Sequence, residues 1–130
     1  MQMITGIDNI GVAVADLPST VAFYQRLGFT KAFENDRGIT MVLGSAKLFL
    51  FSASTSLNSV PRSLTDIQSN PPGIDHISFL VDDVDKTYDE LIAANVEFET
   101  KAADQNWGAR TVSLRDPDGN SIYLLAWLAK

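Results

Sequence analysis

"GIDHISFLVDD", Gly73 to Asp83, restates a phrase written earlier as "GIDNIGVAVAD", Gly6 to Asp16. At an offset of 67 (73 minus 6), Gly6 pairs with Gly73, Ile7 with Ile74, Asp8 with Asp75, Ile10 with Ile77, Val14 with Val81 and Asp16 with Asp83. Thr20 and Thr87 extend the match. Identities this dense mark two copies of one supersecondary unit. One difference changes the chemistry. Asn9 stands where the second copy has His76, the only histidine of the chain.

Side chains alternate along a strand. In the first phrase Ile7, Asn9, Gly11 and Ala13 share one face, and Asp8, Ile10, Val12 and Val14 the other. In the second, Ile74, His76, Ser78 and Leu80 oppose Asp75, Ile77, Phe79 and Val81. Apolar residues on both faces predict strands covered on both sides. A helix follows each. "DLPSTVAFYQRLGF" has Pro18 in its first turn, Val21, Tyr24 and Leu27 at helical spacing, and Gly28 as a stop. "DDVDKTYDELIAANVEF" has Val84, Tyr88, Leu91 and Ile92 at that spacing and Asn95 as a left-handed cap.

Strands complete each unit. The first reads as strands Phe29–Glu34, Ile39–Leu43 and Lys47–Ser52, with turns at "NDRG" and "GSA". The second reads as strands Val96–Glu99, Thr111–Arg115 and Ser121–Trp127, with "DPDG" (Asp116–Gly119) a type I turn. The order is strand-helix-strand-strand-strand, twice. Asp116, Asp118 and Gly119 are expected to build the turn, and Asp8 and Asp75 local structure. One domain spans 1–130, with a first module at about 4–52, a Ser-, Asn- and Pro-rich linker at about 53–72 and a second module at about 73–130.

Composition bounds the function. At 45% hydrophobic and 20% charged residues the chain has an ordinary globular composition and can bury a core. No apolar run nears the roughly 20 residues that span a bilayer, so no membrane partner is expected. Without cysteine there is no disulfide, thiolate metal site or thiol nucleophile. That absence, with no secretion-signal pattern in "MQMITGIDNI", leads to an expected cytoplasmic location. The net charge of −6 argues against nucleic acid. It either serves solubility or steers a cationic ligand.

Three phrases, "GIDNIGVAVADLPSTVAFYQRLGF", "GIDHISFLVDDVDKTYDEL" and "NWGARTVSLRDPDGNSIYLLAW", resemble the vicinal oxygen chelate superfamily. This is the group of glyoxalase I, bleomycin resistance protein, fosfomycin resistance proteins and extradiol dioxygenases. The resemblance covers the whole chain. It implies an α+β fold of two tandem βαβββ modules whose curved sheets enclose a cavity, and a homodimer. Its enzymes hold one divalent metal with ligands from the opening and closing strand of each module. Carried over by position, those places are Asn9, Phe49, His76 and Tyr123, with "GSAKLFL" aligned on "DGNSIYL". Only His76 is a strong ligand, and the closing strands lack a glutamate. No metal or other cofactor is therefore expected; the alternative is one divalent metal involving His76.

The departure resembles the metal-free, bleomycin-resistance-like branch, which sequesters an organic molecule. In that reading Asn9, Phe49, His76 and Tyr123 line a pocket, Trp107 stacks on a flat ring, and Phe33, Met41 and Phe51 are further walls. Gly11, Ala13 and Ser78 leave room. The ligand would be hydrophobic or aromatic, including cationic antibiotic-like compounds. Each aromatic can instead be core, and His76 a hydrogen-bonded structural residue. The alternative function is a glyoxalase-like lyase or isomerase, or a dioxygenase-related enzyme, with His76 as base and Tyr123 as acid. A third is a partner-sensing subunit with a vestigial cavity.

Overall fold

The structure, a computed structural model, describes residues 3–55 and 60–129. It forms two compact units, Met1–Leu57 and Asn58–Lys130. In the first, β1 (Ile10–Val14) leads to α1 (Leu17–Arg26), followed by β2 (Thr30–Glu34), β3 (Ile39–Leu43) and β4 (Ala46–Ser52). In the second, β5 (His76–Leu80) leads to α2 (Val84–Ala93), then β6 (Ala103–Asp104), β7 (Ala109–Arg115) and β8 (Ser121–Trp127). The sheets repeat one topology, β1-β4-β3-β2 and β5-β8-β7-β6. The opening strand lies parallel to the closing one, and the other pairs are antiparallel. This is an α+β fold.

The repeat extends to the caps. Asp16 accepts from the Ser19 amide at 3.4 Å and Asp83 from the Lys86 amide at 3.1 Å, so each helix starts on the same aspartate. Gly28 (φ +106°) ends the first helix and Asn95 (φ +66°) lies just past the second, as the sequence predicts. Each helix covers one sheet face. Val12, Val14, Ile39, Met41, Leu48 and Leu50 are buried in the first unit, with Tyr24 and Phe29. Val112, Leu114, Ile122 and Leu124 are buried in the second, with Val84, Leu91 and Val96.

Three expectations need correction. The opening strands are not covered on both sides: Gly11, Ala13, Ser78 and Leu80 are exposed. They start later than the phrases, so Ile7 and Asn9 precede β1. Val96–Glu99 is no strand: Val96 turns inward to the core, the Glu99 amide makes a single short bond to the Ser113 carbonyl of β7 at 2.9 Å, and the paired ladder with β7 forms at Ala103–Asp104. The expected linker is also partly structure. Its residues 56–59 lie outside the described residues, but 60–72 folds onto the second sheet with a 3₁₀ turn at Ile67–Ser69.

Candidate functional site

The face of the second sheet turned from α2 mixes polar groups with leucines. Register sets Ser78 beside Tyr123 and Tyr123 beside Ser113, then Leu80 beside Leu125 and Leu125 beside Thr111. His76 begins the same face of β5, by alternation. A strap, Arg62 to Asn70, crosses this face. Four side chains tie it down. Arg115 Nη2 donates to the Arg62 carbonyl at 2.7 Å, and Tyr123 Oη donates to the Leu64 carbonyl at 2.6 Å. Asn70 accepts from the Ser63 amide at 2.7 Å and donates to Asp75 Oδ1 at 2.7 Å. Arg62 Nη1 donates to the Pro71 carbonyl at 2.6 Å.

Strap and sheet enclose a pocket of about 450 Å³. Leu64, Thr65 and Ile67 supply its strap side, and His76, Ser78, Thr111, Ser113, Tyr123 and Leu125 its sheet side. Thr100, Lys101, Ala103, Gln105 and Trp107 form the rim. The polar sheet-side groups are partly spent on each other. Thr100 and Ser113 hydroxyls meet at 2.7 Å, and Gln105 Nε2 donates to Thr111 Oγ1 at 3.1 Å. A larger and more open depression, about 630 Å³, lies around Tyr88, Ile92 and Phe98. It contains none of the eight candidate site residues named from the sequence.

His76 and Asp75 form a pair, Nδ1 to Oδ2 at 2.7 Å. Against an ionised carboxylate Nδ1 carries the proton, so the neutral ring offers Nε2 as an acceptor. Among the described residues Nε2 makes no hydrogen bond. The His76 hydrogen bond, foremost, holds the Asp75 carboxyl below the ordinary carboxylate range. Partial burial opposes it, while the Asn70 amide and the charges of His76 and Arg62 add to it. Tyr123 sits edge-on to the imidazole, ring centres 4.5 Å apart. Burial, then the Asp75 charge, push its phenol above the usual value, and Arg115 opposes them. Trp107 is 54% exposed and meets Trp127 edge-to-face at 5.6 Å.

Within the second unit this pocket gathers His76, Tyr123 and Trp107; Asn9, Phe33, Met41, Phe49 and Phe51 belong to the first unit. Phe49 and Phe51 stack at 5.7 Å on the corresponding face of the first sheet. There Gly11 pairs with Phe49 as Ser78 pairs with Tyr123, so pairing register supports the equivalence of Phe49 and Tyr123. Asn9 is exposed and donates to Asp8 at 2.8 Å. Phe33 is 59% exposed on β2, outside the described pockets. Met41, expected as a wall, is fully buried opposite Leu48, because it falls on the helix-covered face of β3. Asp116, as expected, builds a turn: its Oδ1 accepts from the Asp118 and Asn120 amides at 3.0 and 2.9 Å. Sequence reasoning missed the strap and, Trp107 apart, the rim. The only sequence signal was Leu64 and Ile67 interrupting an otherwise polar "SLTDIQSN".

Two sheets of one topology, each opening with a repeated strand and helix, match a family model over residues 6–124. The chain belongs to the glyoxalase/bleomycin resistance protein/dioxygenase superfamily. It is 32% identical over 124 residues to the uncharacterized protein YraH of Bacillus subtilis (strain 168), covering 92% of this chain and 97% of YraH. Among solved structures it is similar to a member of this superfamily from Sphaerobacter thermophilus, at 27% identity and TM-score 0.72, covering 95% of this chain and 98% of that one. The fold is also that of FosX, the genomically encoded fosfomycin resistance protein of Listeria monocytogenes. That match has TM-score 0.72 at 20% identity, covering 95% and 94%. Among the described residues no helix is long and apolar enough to cross a membrane.

Proposed function

We propose that this member of the superfamily binds a small, partly aromatic organic molecule in the second-sheet pocket without a divalent metal, and acts by holding it. The observation that carries this reading is the pocket's lining: Trp107, Tyr123, Leu64, Ile67 and Leu125 around a few hydroxyls and one imidazole. The superfamily's metal does not fit the residues present. Such an ion takes at least three protein ligands of imidazole or carboxylate type. The four carried-over positions offer one imidazole, one exposed amide bonded to Asp8, one phenol bonded to Leu64 and one phenyl ring. Among the described residues no three His, Asp or Glu side chains cluster for an ion. The proposed setting is the cytoplasm, with neither nucleic acid nor membrane as partner, and the working form is a homodimer. The superfamily's antibiotic-binding members make antibiotics the first compounds to try.

The test is calorimetry on untagged, chelator-stripped protein with Zn²⁺, Ni²⁺, Mn²⁺ and Fe²⁺, and with His76→Ala as control. The expected result is no tight one-to-one binding. Tight binding that vanishes in the variant would overturn the metal-free reading.

The Asp75–His76 pair favours a second reading, an acid–base enzyme. A carboxylate that fixes the imidazole tautomer leaves Nε2 available as a base. Tyr123 suits the acid role less, since its proton is donated to Leu64 and its phenol titrates high. Turnover of a bound compound that His76→Ala abolishes, with binding retained, would favour this reading.

A further inference from the structure

We propose that the molecule this pocket takes is an aromatic carboxylate. This rests on the small-molecule reading above and names its ligand class. The chain carries a net charge of −6, yet no aspartate or glutamate lines the pocket. Its one permanently charged lining residue is Lys101, which forms no ion pair among the described residues.

The nearby carboxylates are occupied or turned away. Asp75, behind the imidazole, is matched by Arg62 at 3.6 Å, by His76 and by the Asn70 amide. Asp104, next to the rim, pairs with Arg110 at 3.0 Å. Glu97 and Glu99 share the more open depression with Lys101 and do not line this pocket. Arg115 does not line the pocket, and its guanidinium is spent on the Arg62 and Gly119 carbonyls. The local balance is therefore positive, opposite to that of the chain. A cation would meet Lys101 with no carboxylate in the pocket lining to offset it. An acid would gain a charge-assisted contact there.

The Ser78 hydroxyl, on the same face and without a hydrogen bond among the described residues, supplies a neutral donor. Trp107 gives the aromatic part of the ligand a flat surface, and Trp127 holds that ring edge-on.

Three probes of one shape separate charge from shape: naphthalene-2-carboxylate, 2-naphthylmethanol and 2-naphthylmethylammonium, measured by equilibrium dialysis at neutral pH. The carboxylate should bind roughly fivefold more tightly than the alcohol, and the ammonium most weakly, as one partly exposed charge contact allows. Lys101→Met, at an exposed position where substitutions usually change stability little, should erase that ranking, and about 1 M salt should do the same. Trp107→Ala should weaken all three probes together. If the ammonium binds best, or the carboxylate preference survives Lys101→Met, the acid proposal is overturned while the small-molecule pocket stands. If no probe binds the wild type, the pocket reading fails and takes this proposal with it.

Discussion

Asp75 receives His76 Nδ1, the Asn70 amide and the Arg62 charge on one carboxylate. Its counterpart Asp8 holds Asn9 and, at 3.5 Å, Lys47 in the open. The same two-residue device thus occurs in both copies, but only the second points an imidazole into a pocket. The Asp75 carboxyl titrates lower in the folded chain than in the unfolded one. Its stabilisation is therefore complete above the unfolded value of about 4 and is lost as pH falls through the folded value. Asp75→Asn should melt below the wild type at neutral pH, with the gap closing under about pH 4. Thermal melts by circular dichroism across that range check this, and a pH-independent gap would remove charge from the account. Met41 and Phe33 make a second contrast. Met41→Ala should cost about 2–5 kcal/mol in urea unfolding because the side chain is fully buried. Phe33→Ala should change stability by about 0.5 kcal/mol or less, as an exposed position does.

At the scale of elements, the strap is what turns a sheet face into a pocket, and Tyr123 is its latch. Tyr123→Phe removes one hydrogen bond to the Leu64 carbonyl and keeps the ring. The expected loss is about 1 kcal/mol, or roughly 4 °C in melting temperature for a chain of this size. Hydrogen exchange should quicken at Thr65 and Asp66, whose amides bond within the strap to Ser63 Oγ. An unchanged exchange rate there would mean the strap stands without its latch.

The strap also marks where the sequence stops being legible. Ile39–Leu43 and Ser121–Trp127 have the bounds that their apolar runs and flanking turns predict. The first helix carries Pro18 in its first turn as predicted, and Gly28 and Asn95 end the two helices as predicted, because such signals act locally. The strap is held by Arg115 and Tyr123, which lie more than fifty residues along the chain, and by Asp75 just ahead of β5. Its own residues look like any polar connection. The same limit applies to Met41. Alternation puts it opposite Thr40, but with apolar residues on both faces only tertiary packing decides which face the helix covers. His76, Tyr123 and Trp107 were legible because the repeat and the resemblance fixed their positions. Lys101 and Thr111 were not, since nothing local separates a pocket-facing lysine or threonine from a solvent-facing one.

At the scale of the molecule, the two copies have diverged in chemistry on one topology. The first presents Phe49 and Phe51 where the second presents Tyr123 and Leu125, and Gly11 where the second has Ser78. Isolated exposed apolar side chains are ordinary. Here the exposed positions repeat: Ile7 is 85% and its counterpart Ile74 is 88% exposed. Met3, Ile4 and Leu80 add more apolar surface near the two opening strands. Exposed apolar side chains at equivalent places on each unit suit an association site, and we propose a second copy of the chain as the partner that covers them. Light scattering coupled to size exclusion should therefore give a mass twice the 14.2 kDa of one chain. The melting temperature should rise with protein concentration, since association stabilises by mass action. The double variant Ile7→Lys and Ile74→Lys should run as a single chain, and its melting temperature should no longer depend on concentration. A wild type that stays at the mass of one chain at every concentration would rule out the homodimer and leave those isoleucines as plain surface.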